Sequence, residues 1–552
     1  MACAYAKYTG RLGACVSTSG PGAIHLLNGL YDAKLDNTPV VAITGRTYSD
    51  LLGSGYQQDV NQSQLFSDVA VYNNMILAPE QAEMVVDMAC RTAISQKGVS
   101  HFTIPVDIQD KVLKGNFSQH KVPGHTSDRP ISFQVLPSDE TIIQQAADIL
   151  NAGSRVVILV GQGALNARDE ILSLAKSLNA PIVKALLGKA AIPDNSQYNL
   201  GVLGMLGTEP ATDAMNEADT LLMIGTSFPY IEYLPKPGQA RGVQIDIKPE
   251  RIGLRYPVDL GLWGDSKTIL SAILPLLKNN EDDSFLKTKQ LAMDQWLRKL
   301  KEHSQSINTQ QNNVDQEKKN LNASTNEYKD RYDIKPQTIA SAVSDELEEN
   351  AIISADSGTS TFWAARYINI KNGMKFSVSG TLASMACGLP YSIAAQIAYP
   401  DRQCVSLVGD GGFMMLMAEF STAVQYKLPL KVIVLKNNTL GMIRWEQMGF
   451  LGNPEYGVEF SPVDFAGFAR NCGGKGYSIK KENEVNHVLR TAMHDKEKKP
   501  VLVEAYVDPF EPILPPKAKP EFIKKMSSAL TSGQPFSERI GLTLYRNKFE
   551  TK

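Results

Sequence analysis

SLVGDGGF (residues 406–413) and KNNTLG (residues 436–441) are the two stretches that decide the fold of this 552-residue chain. The first stretch contains the end of a short apolar run, residues 404–408, and the second follows another, residues 430–435. Runs of this kind form buried strands. A helix-like segment separates the two runs, which predicts a βαβ unit. The carboxyl ends of parallel strands lie at one edge of the sheet, so we expect Asp410 and Asn437 to meet there.

Asp410 and Asn437 carry the chemistry that a magnesium ion needs. Carboxylate and amide oxygens are hard ligands, and Mg²⁺ prefers them together with phosphate oxygens. The glycines beside Asp410 let the backbone approach a ligand, and the start of the following helix favours an anion. The alternative is two loops that merely turn the chain. A lone Gly-Asp-Gly would favour it, but the 27-residue spacing and the Asn pair favour a magnesium-diphosphate site.

Similar apolar runs alternate with helical patterns through most of the chain. They are rich in Val, Ile and Leu, which predicts parallel sheets built from βαβ units. Their repetition predicts an α/β fold with three such sheets in series. The other runs are residues 13–16, 40–44, 156–160, 221–225, 351–355 and 501–505.

Composition changes at two places and sets the predicted domain limits. Residues 111–136 are rich in Pro, Gly, His and Ser, which is typical of a linker. Residues 279–333 are strongly polar and are also predicted to be a linker; residues 285–300 have helical spacing, and the rest is typical of a flexible connector. The predicted domains are residues 1–112, 135–278 and 334–510, followed by a tail, residues 511–552.

Overall composition is that of an ordinary globular protein, with 43% hydrophobic and 21% charged residues. The net charge of −2 gives no electrostatic case for nucleic acid or an anionic membrane. Six cysteines without a Cys-x-x-Cys pair indicate thiols in a reducing compartment. The sequence shows neither a signal peptide nor a run of about 18 apolar residues, so a cytoplasmic location is expected.

The Gly-Asp-Gly and Asn-Asn pattern resembles the signature of thiamine-diphosphate (ThDP) enzymes. Nearly the whole chain resembles the branch that holds pyruvate oxidases, pyruvate:quinone dehydrogenases and acetolactate synthases. The resemblance implies a pyrimidine-binding domain, a central flavin-type domain and a diphosphate-binding domain. It makes Asp410 and Asn437 side-chain ligands of Mg²⁺ and the Thr439 carbonyl the third protein ligand.

Further motifs carry the resemblance into the first and third domains. STSGPGAIHLLNGLYDA (17–33) and GSGYQQ (53–58) match the first domain, with Gln58 at the family's active-site glutamine. DSGTSTFWAARY (356–367) and LASMACGLP (382–390) match the third, with Met385 where the family props ThDP in its V shape. The alternative for Met385 is core packing. The implied ThDP and Mg²⁺ contacts are Gly358, Thr359, Ala383, Ser384, Met385, Asp410, Gly411, Gly412, Asn437, Asn438, Thr439, Leu440 and Gly441.

Ile443 and Glu446 match active-site positions of pyruvate oxidases. A carboxylate near the reactive carbon of ThDP can shuttle protons during addition and product release. The alternative for Glu446 is an exposed acid on a helix.

Three segments of the central domain resemble the flavin-contacting segments of pyruvate oxidases and quinone dehydrogenases: GVLGMLG (201–207), GTSFPY (225–230) and QIDI (244–247). A Gly loop at 161–163 is weak evidence for a nucleotide site by itself. The resemblance implies FAD, with Asp246 accepting hydrogen bonds from ribityl or ribose hydroxyls. Acetolactate synthases also hold FAD here without net redox use, and some relatives have lost it. The implied contacts are Leu203, Gly204, Met205, Leu206, Gly225, Thr226, Ser227, Phe228, Pro229 and Asp246.

The start of the chain, MACAYAK (1–7), has the pattern of the middle of a helix. The family's glutamate on the pyrimidine N1′ lies a few residues before the matching segment, and Asp32 and Asp36 fall in a different motif. We expect an incomplete chain whose true start lies upstream, because a first sheet without its opening βα unit would expose apolar surface. The alternative is a truncated product without normal turnover.

Three functions remain open at this point. The first is oxidative decarboxylation of pyruvate with ThDP and FAD; its acceptor (O₂ or quinone) and product (acetate or acetyl phosphate) are undecided. The second is an acetolactate-synthase-type carboligase, and the third is a non-catalytic ThDP-binding protein. The resemblance implies a homodimer or homotetramer. Residues 517–552 depart from the membrane-binding end of the quinone type, so contact with a membrane or quinone is an open question.

Overall fold

The computed structural model describes residues 1–113, 139–305 and 334–549. Three parallel β-sheets follow one another along these residues, which confirms the predicted α/β fold with three sheets in series. Short runs of Val, Ile and Leu form interior strands such as Val156–Val160 and Lys431–Lys436, because a strand covered by helices on both faces needs apolar residues throughout. Edge strands such as Ala70–Met75 and Lys475–Ile479 are more polar.

The first sheet is built from β1 (Gly13–Ser17), β2 (Val40–Arg46), β3 (Ala70–Met75) and β4 (Val99–Pro105). Its strand order is β1-β2-β4-β3, and all neighbouring strands are parallel. Its helices are α1 (Ala2–Thr9), α2 (Pro21–His25), α3 (Leu27–Leu35), Gln62–Leu65, Ala82–Gln96 and Val106–Gln109.

The second sheet is built from β5 (Val156–Val160), β6 (Ile182–Lys184), β7 (Asn199–Val202), β8 (Thr220–Ile224), β9 (Arg241–Asp246) and β10 (Leu260–Trp263). Its order, β10-β9-β8-β5-β6-β7, reverses direction between β5 and β8. This is the order of dinucleotide-binding folds, whose ligands lie at that reversal. The helices are Glu140–Asn151, Arg168–Leu178, Glu209–Glu217, Ser266–Ile273 and Ser284–Ser304.

The third sheet is built from β11 (Ile352–Ala355), β12 (Lys375–Ser377), β13 (Cys404–Gly409), β14 (Lys431–Lys436), β15 (Lys475–Ile479) and β16 (Val501–Tyr506). Its order is β12-β11-β13-β14-β16-β15, so β11, β13 and β14 are neighbours. The helices are Pro336–Asp345, Thr359–Tyr367, Asp410–Leu416, Glu419–Gln425, Gly441–Glu446, Phe465–Asn471 and Val485–Met493.

The described residues separate into two compact units. The first joins the first sheet with Ser379–Pro400, a segment that includes the helix Gly388–Ala398. The second contains the other two sheets. The predicted domain 334–510 spans the segment that joins the first unit, and the predicted domain limits stay predictions.

The described parts of the polar region after the second sheet and of the tail form helices of the second unit. Helix Ser284–Ser304 covers the residues with predicted helical spacing and buries Leu286, Met293 and Leu300. The linker predicted at 111–136 and the connector after residue 305 lie largely or wholly outside the described residues. Helices Pro520–Thr531 and Ser537–Phe549 form the tail. Among the described helices, none is both long enough and apolar enough to span a membrane.

Candidate active site

The carboxyl ends of β13 and β14 bring Asp410 and Asn437 together. The strands pair in parallel, with Gly409 opposite Leu435, so the residues that follow share one edge of the sheet. The Asp410 carboxylate is 1% exposed. Its Oδ2 accepts hydrogen bonds from the backbone N–H of Asn437 at 2.9 Å and of Asn438 at 2.6 Å. The expected meeting of the two loops is therefore observed in the geometry.

The donor set at this edge fits a magnesium ion that is shared with a phosphate. Burial raises the pKa of the Asp410 carboxyl to about 6, although the N–H groups of Asn438, Gly411 and Asn437 act in the opposite direction. A divalent cation would favour the ionised carboxylate. Among the described residues, no group of three or more His, Cys, Asp or Glu side chains is arranged to hold a metal ion by itself. The hard oxygens of Asp410, Asn437 and the Thr439 carbonyl leave other coordination positions for phosphate and water.

A small cavity beside these loops is lined by Thr359, Asn437 and Gly441. A Cβ atom on Gly441 would approach Thr359 Cγ2 to 3.2 Å and Asn437 Nδ2 to 3.3 Å, so a larger residue would push these side chains aside by a few tenths of an ångström. The helix Thr359–Tyr367 begins at the cavity, after Gly358 with a φ of 113°. Unpaired N–H groups at a helix start attract anions, so the loops around Thr359 suit a phosphate group. The cavity itself has a volume of about 10 Å³ and is also lined by the acids Asp508 and Glu511, so it is not the space that a diphosphate would fill.

Gly411 and Gly412 are explained by packing within the protein. A Cβ on Gly411 would come within 2.7 Å of Leu440 Cδ2, and a Cβ on Gly412 would collide with the Asp356 carboxylate. The sequence interpretation attributed these glycines to close approach of a ligand. The structure shows that they also let the Asp410 loop pack against its neighbours.

Ile443 and Glu446 lie three positions apart on the helix Gly441–Glu446 and therefore on one face. Ile443 is 41% exposed, while Glu446 is partly buried. Burial raises the pKa of the Glu446 carboxyl, which suits a group that takes up and releases a proton. The structure therefore does not match the alternative of a fully exposed acid.

Sequence reasoning missed Arg444, which anchors the same helix from its other side. Its guanidinium is 1% exposed, forms an ion pair with Glu455, and donates to the Pro509 carbonyl at 3.1 Å. An arginine between two predicted active-site residues gave no signal of burial, because its partners lie 11 and 65 positions away.

In the first unit, Gln58 lies against the loop that joins β1 to α2. Its backbone has a φ of 62°, and its Oε1 accepts a hydrogen bond from Ser19 Oγ at 3.1 Å. A Cβ on Gly20 would come within 2.8 Å of Gln58 Cβ, so this glycine is needed for the contact.

The predicted cofactor residues Ala383, Ser384 and Met385 form a loop in the first unit. Ala383 and Ala386 have φ values of 55° and 70°, in the left-handed region that side chains disfavour. The Ser384 N–H donates to Ser379 Oγ at 3.0 Å. Met385 is only partly buried, so within the described residues it is not a core side chain of this unit.

The segments implied for FAD converge on one edge of the second sheet. Leu203–Leu206 follow β7, Gly225–Pro229 follow β8, and Asp246 ends β9. Gly204 faces the ring of Phe228, since a Cβ there would lie 3.3 Å from Phe228 Cζ. Burial raises the pKa of the Asp246 carboxyl, which accepts the Lys248 N–H at 2.9 Å.

The Gly loop after β5 meets the loop after β8 where the strand order reverses. The Gly163 N–H donates to the Gly225 carbonyl at 3.0 Å, and a Cβ on Gly161 would come within 2.5 Å of that oxygen. These glycines hold the two loops together, so the weak sequence signal at 161–163 has a structural explanation.

Sequence reasoning also missed Arg366. Within the second unit, this residue connects the helix Thr359–Tyr367 of the third sheet to the loop that follows β7 of the second sheet. It lies near the end of the helix that begins at Thr359. Its Nη2 donates to the carbonyls of Met205 at 3.1 Å and Leu514 at 2.9 Å, and its Nε to that of Leu206 at 3.4 Å. The helix thus reaches from the loops implied for the diphosphate to a segment implied for FAD.

Comparison with known proteins agrees with this arrangement. Models of thiamine pyrophosphate enzymes match residues 356–505 with the C-terminal TPP binding domain, residues 143–273 with the central domain and residues 1–65 with the N-terminal TPP binding domain. The chain belongs to the thiamine pyrophosphate enzyme family.

Three relatives illustrate the range of this family. A Bacillus subtilis (strain 168) protein, named for containing thiamine pyrophosphate, is 39% identical over 94% of this chain and 84% of its own length. A Methanococcus aeolicus protein named as an acetolactate synthase large subunit is 32% identical over 93% of this chain and 85% of its own length. The pyruvate oxidase of Lactiplantibacillus plantarum is 29% identical over 93% of this chain and 80% of its own length.

Proposed function

We propose that this chain catalyses the oxidative decarboxylation of a 2-oxo acid, pyruvate in the first place, with ThDP, Mg²⁺ and FAD. The observation that carries the proposal is the convergence of Leu203–Leu206, Gly225–Pro229 and Asp246 on one edge of the second sheet. That edge includes the reversal of strand order, where α/β sheets bind dinucleotides. The pyruvate oxidase among the relatives supports the same reaction class.

The diphosphate end of ThDP is assigned to the third sheet. Asp410, Asn437 and the Thr439 carbonyl would hold Mg²⁺, and the helix start at Thr359 would lie beside the diphosphate. When bound, ThDP supplies the carbanion that attacks the substrate ketone, and FAD accepts the two electrons.

The protein's own contribution to the chemistry is proton control and orientation. Glu446, partly buried and with a raised pKa, is placed to hold a proton between turnover steps. Ile443 on the same helix face offers an apolar wall. In the first unit, Ser19 Oγ donates to Gln58 Oε1, which orients the side-chain amide and leaves its N–H groups to bind the substrate carboxylate.

A carboligase reaction is the second candidate. The relatives named as acetolactate synthases favour it, because one of them is more similar in sequence to this chain than the pyruvate oxidase is. In such a reaction the same site joins two 2-oxo acids, and bound FAD stays oxidised. A ThDP-binding protein without turnover is the remaining alternative.

Flavin absorbance and product analysis separate these candidates. The purified chain is loaded with ThDP, Mg²⁺ and FAD under anaerobic conditions. On addition of pyruvate, we expect the absorbance of oxidised flavin to decrease and CO₂ to be released. Acetolactate formed with the flavin still oxidised would assign the carboligase reaction instead. Protein that neither bleaches nor forms a product, also when it carries an N-terminal extension with the family's pyrimidine glutamate, would contradict both enzymatic proposals.

A further inference from the structure

The loop that carries Met385 is strained at two places. Ala383 and Ala386, on either side of Ser384 and Met385, have φ values of 55° and 70°. Alanine disfavours this region, and such residues persist only where the surrounding structure fixes them. Something in the first unit must therefore hold the loop in this conformation.

One face of α3 makes the contacts that hold it. Asn28, Asp32 and Asp36 follow one another at intervals of four residues, so they line one side of the helix and its end. Asn28 Nδ2 donates to Ser384 Oγ at 2.8 Å. The Asp36 carboxylate accepts the backbone N–H groups of Gly380 and Thr381, both at 2.9 Å.

The same face of α3 also holds the helix Gly388–Ala398, which follows the loop. The hydroxyl of Tyr391, on the helix Gly388–Ala398, donates to the Asp32 carboxylate. Lys7, from α1, donates to Tyr391 Oη at 2.7 Å, to Asp36 Oδ2 at 2.7 Å and to Asp32 Oδ1 at 3.3 Å. The side chain of Lys7 is 2% exposed and that of Asp36 is fully buried. A buried ion pair with several hydrogen bonds has a narrow choice of geometry.

We propose that Asn28, Asp32 and Asp36, together with Lys7, form a clamp that presets the backbone of residues 380–386 for ThDP. This rests on the proposed function, which places Met385 against the cofactor. The clamp residues are positioning residues: they act on the loop and do not contact the reacting atoms. A loop that is already fixed pays no ordering entropy when the cofactor binds, so the clamp raises the affinity for ThDP.

Asn28 offers the sharpest test, because it is exposed and its loss leaves the core intact. The Asn28→Ala variant loses one hydrogen bond to the loop. We expect amide exchange of residues 383–386 in the cofactor-free chain to rise about fivefold. ThDP affinity, measured by calorimetry with Mg²⁺, is expected to fall about fivefold as well. The midpoint of thermal unfolding is expected to stay unchanged.

Two further variants serve as rescue and control. Asn28→Asp is expected to restore only part of the wild-type exchange rate and affinity, because the Ser384 hydroxyl, which donates to the Met385 carbonyl at 3.1 Å, would have to turn away from it to reach the carboxylate. Tyr31→Phe removes a hydrogen bond of 2.7 Å to Asp68 from the same helix, away from the loop, and is expected to change neither quantity. Asp36→Asn, at the buried end of the clamp, should raise exchange of residues 380 and 381 most.

The outcomes separate the clamp from the proposed function. Faster exchange with unchanged ThDP affinity would overturn the inference that the clamp prepares the loop for the cofactor. Unchanged exchange in both Asn28→Ala and Asp36→Asn would overturn the clamp itself. Wild-type chain that takes up no ThDP would refute the proposed function, while the exchange experiment would still decide whether the clamp exists.

Discussion

The Asp410 carboxylate accepts the backbone N–H of Asn437 at 2.9 Å across 27 positions of sequence. This bond fixes two loops relative to each other before any ligand arrives, because one carboxylate oxygen takes the N–H groups of both Asn437 and Asn438. The same carboxylate is assigned to Mg²⁺. It therefore shapes the site and carries the charge that would attract the cation.

Replacement of Asp410 by Asn is expected to remove both roles. The amide has no charge for the metal, and its NH₂ group would face an N–H donor of the second loop. We expect ThDP affinity in the presence of Mg²⁺ to fall about 100-fold or more, which corresponds to about 3 kcal/mol. Calorimetric titration measures this. Asp401→Asn, an exposed acid shortly before β13, is the matched control. An Asp410→Asn chain that binds ThDP with wild-type affinity would exclude Asp410 as a magnesium ligand.

Glu446 provides a prediction about pH. Burial raises the pKa of its carboxyl, so the group keeps its proton to a higher pH than an exposed glutamate. The pH profile of turnover is expected to show a limb displaced upward from the ordinary range of glutamate. Glu446→Gln should lower kcat about 100-fold, remove that limb and leave ThDP affinity unchanged. Steady-state rates between pH 5 and pH 8, with the exposed acid variant Glu302→Gln as control, test this. A Glu446→Gln chain with the wild-type profile would show that another group holds the proton.

His101 makes the stability of the first unit depend on pH. The ring is fully buried, stacks on Phe66 with centroids 3.8 Å apart, and contacts Thr44 Oγ1 and Asn73 Oδ1, both at 2.8 Å. Burial lowers its pKa from 6.5 to about 4, with the charge of Arg46 acting in the same direction. The unfolded chain therefore binds a proton below pH 6.5 that the folded chain binds only below about pH 4.

The buried neutral His101 therefore contributes its full stabilisation of the folded unit above pH 6.5, and this contribution is lost as the pH decreases towards 4. At pH 5 the expected loss is about 2 kcal/mol relative to pH 7. Hydrogen exchange of β2 and β4 at the two pH values measures it locally. His101→Gln should remove this part of the pH dependence, and a variant with the full dependence would assign it to other groups.

The sheets and the edge with Asp410 and Asn437 were accessible from sequence because they depend on local patterns, whereas the segments implied for FAD came from the family resemblance. Buried strands are uniformly apolar, and strand ends are marked by Gly, Asp and Asn. The expected edge for Asp410 and Asn437 followed from the rule that parallel strands end on one side.

The features that the sequence did not reveal depend on contacts between residues far apart in the chain. Asp36 meets Gly380 across 344 positions, and no local pattern predicts that Ser379–Pro400 joins the first unit. The left-handed Ala383 and Ala386 were equally hidden, because alanine rarely adopts that conformation. Phe522 of the tail packs against Gly449, and no local pattern predicted this contact either.

Arg366 links the segment implied for FAD to the helix that begins at Thr359, and this gives the last prediction. Its guanidinium donates to the carbonyls of Met205, Leu206 and Leu514 and lies 4.1 Å from the ring centroid of Phe362. Arg366→Met keeps the length of the side chain but leaves three carbonyls without this donor. Because the segment after β7 would lose its anchor, FAD affinity should fall about tenfold, and ThDP affinity by a smaller factor.

Arg366→Lys is expected to restore only part of the FAD affinity, since an ammonium group cannot reproduce the planar fork that reaches several carbonyls at once. Flavin fluorescence titration gives the FAD affinity and calorimetry the ThDP affinity. Equal losses of both would indicate that Arg366 supports the second unit as a whole. A larger loss for FAD would assign the residue to the flavin segment, because two of the three carbonyls that it holds, those of Met205 and Leu206, belong to that segment.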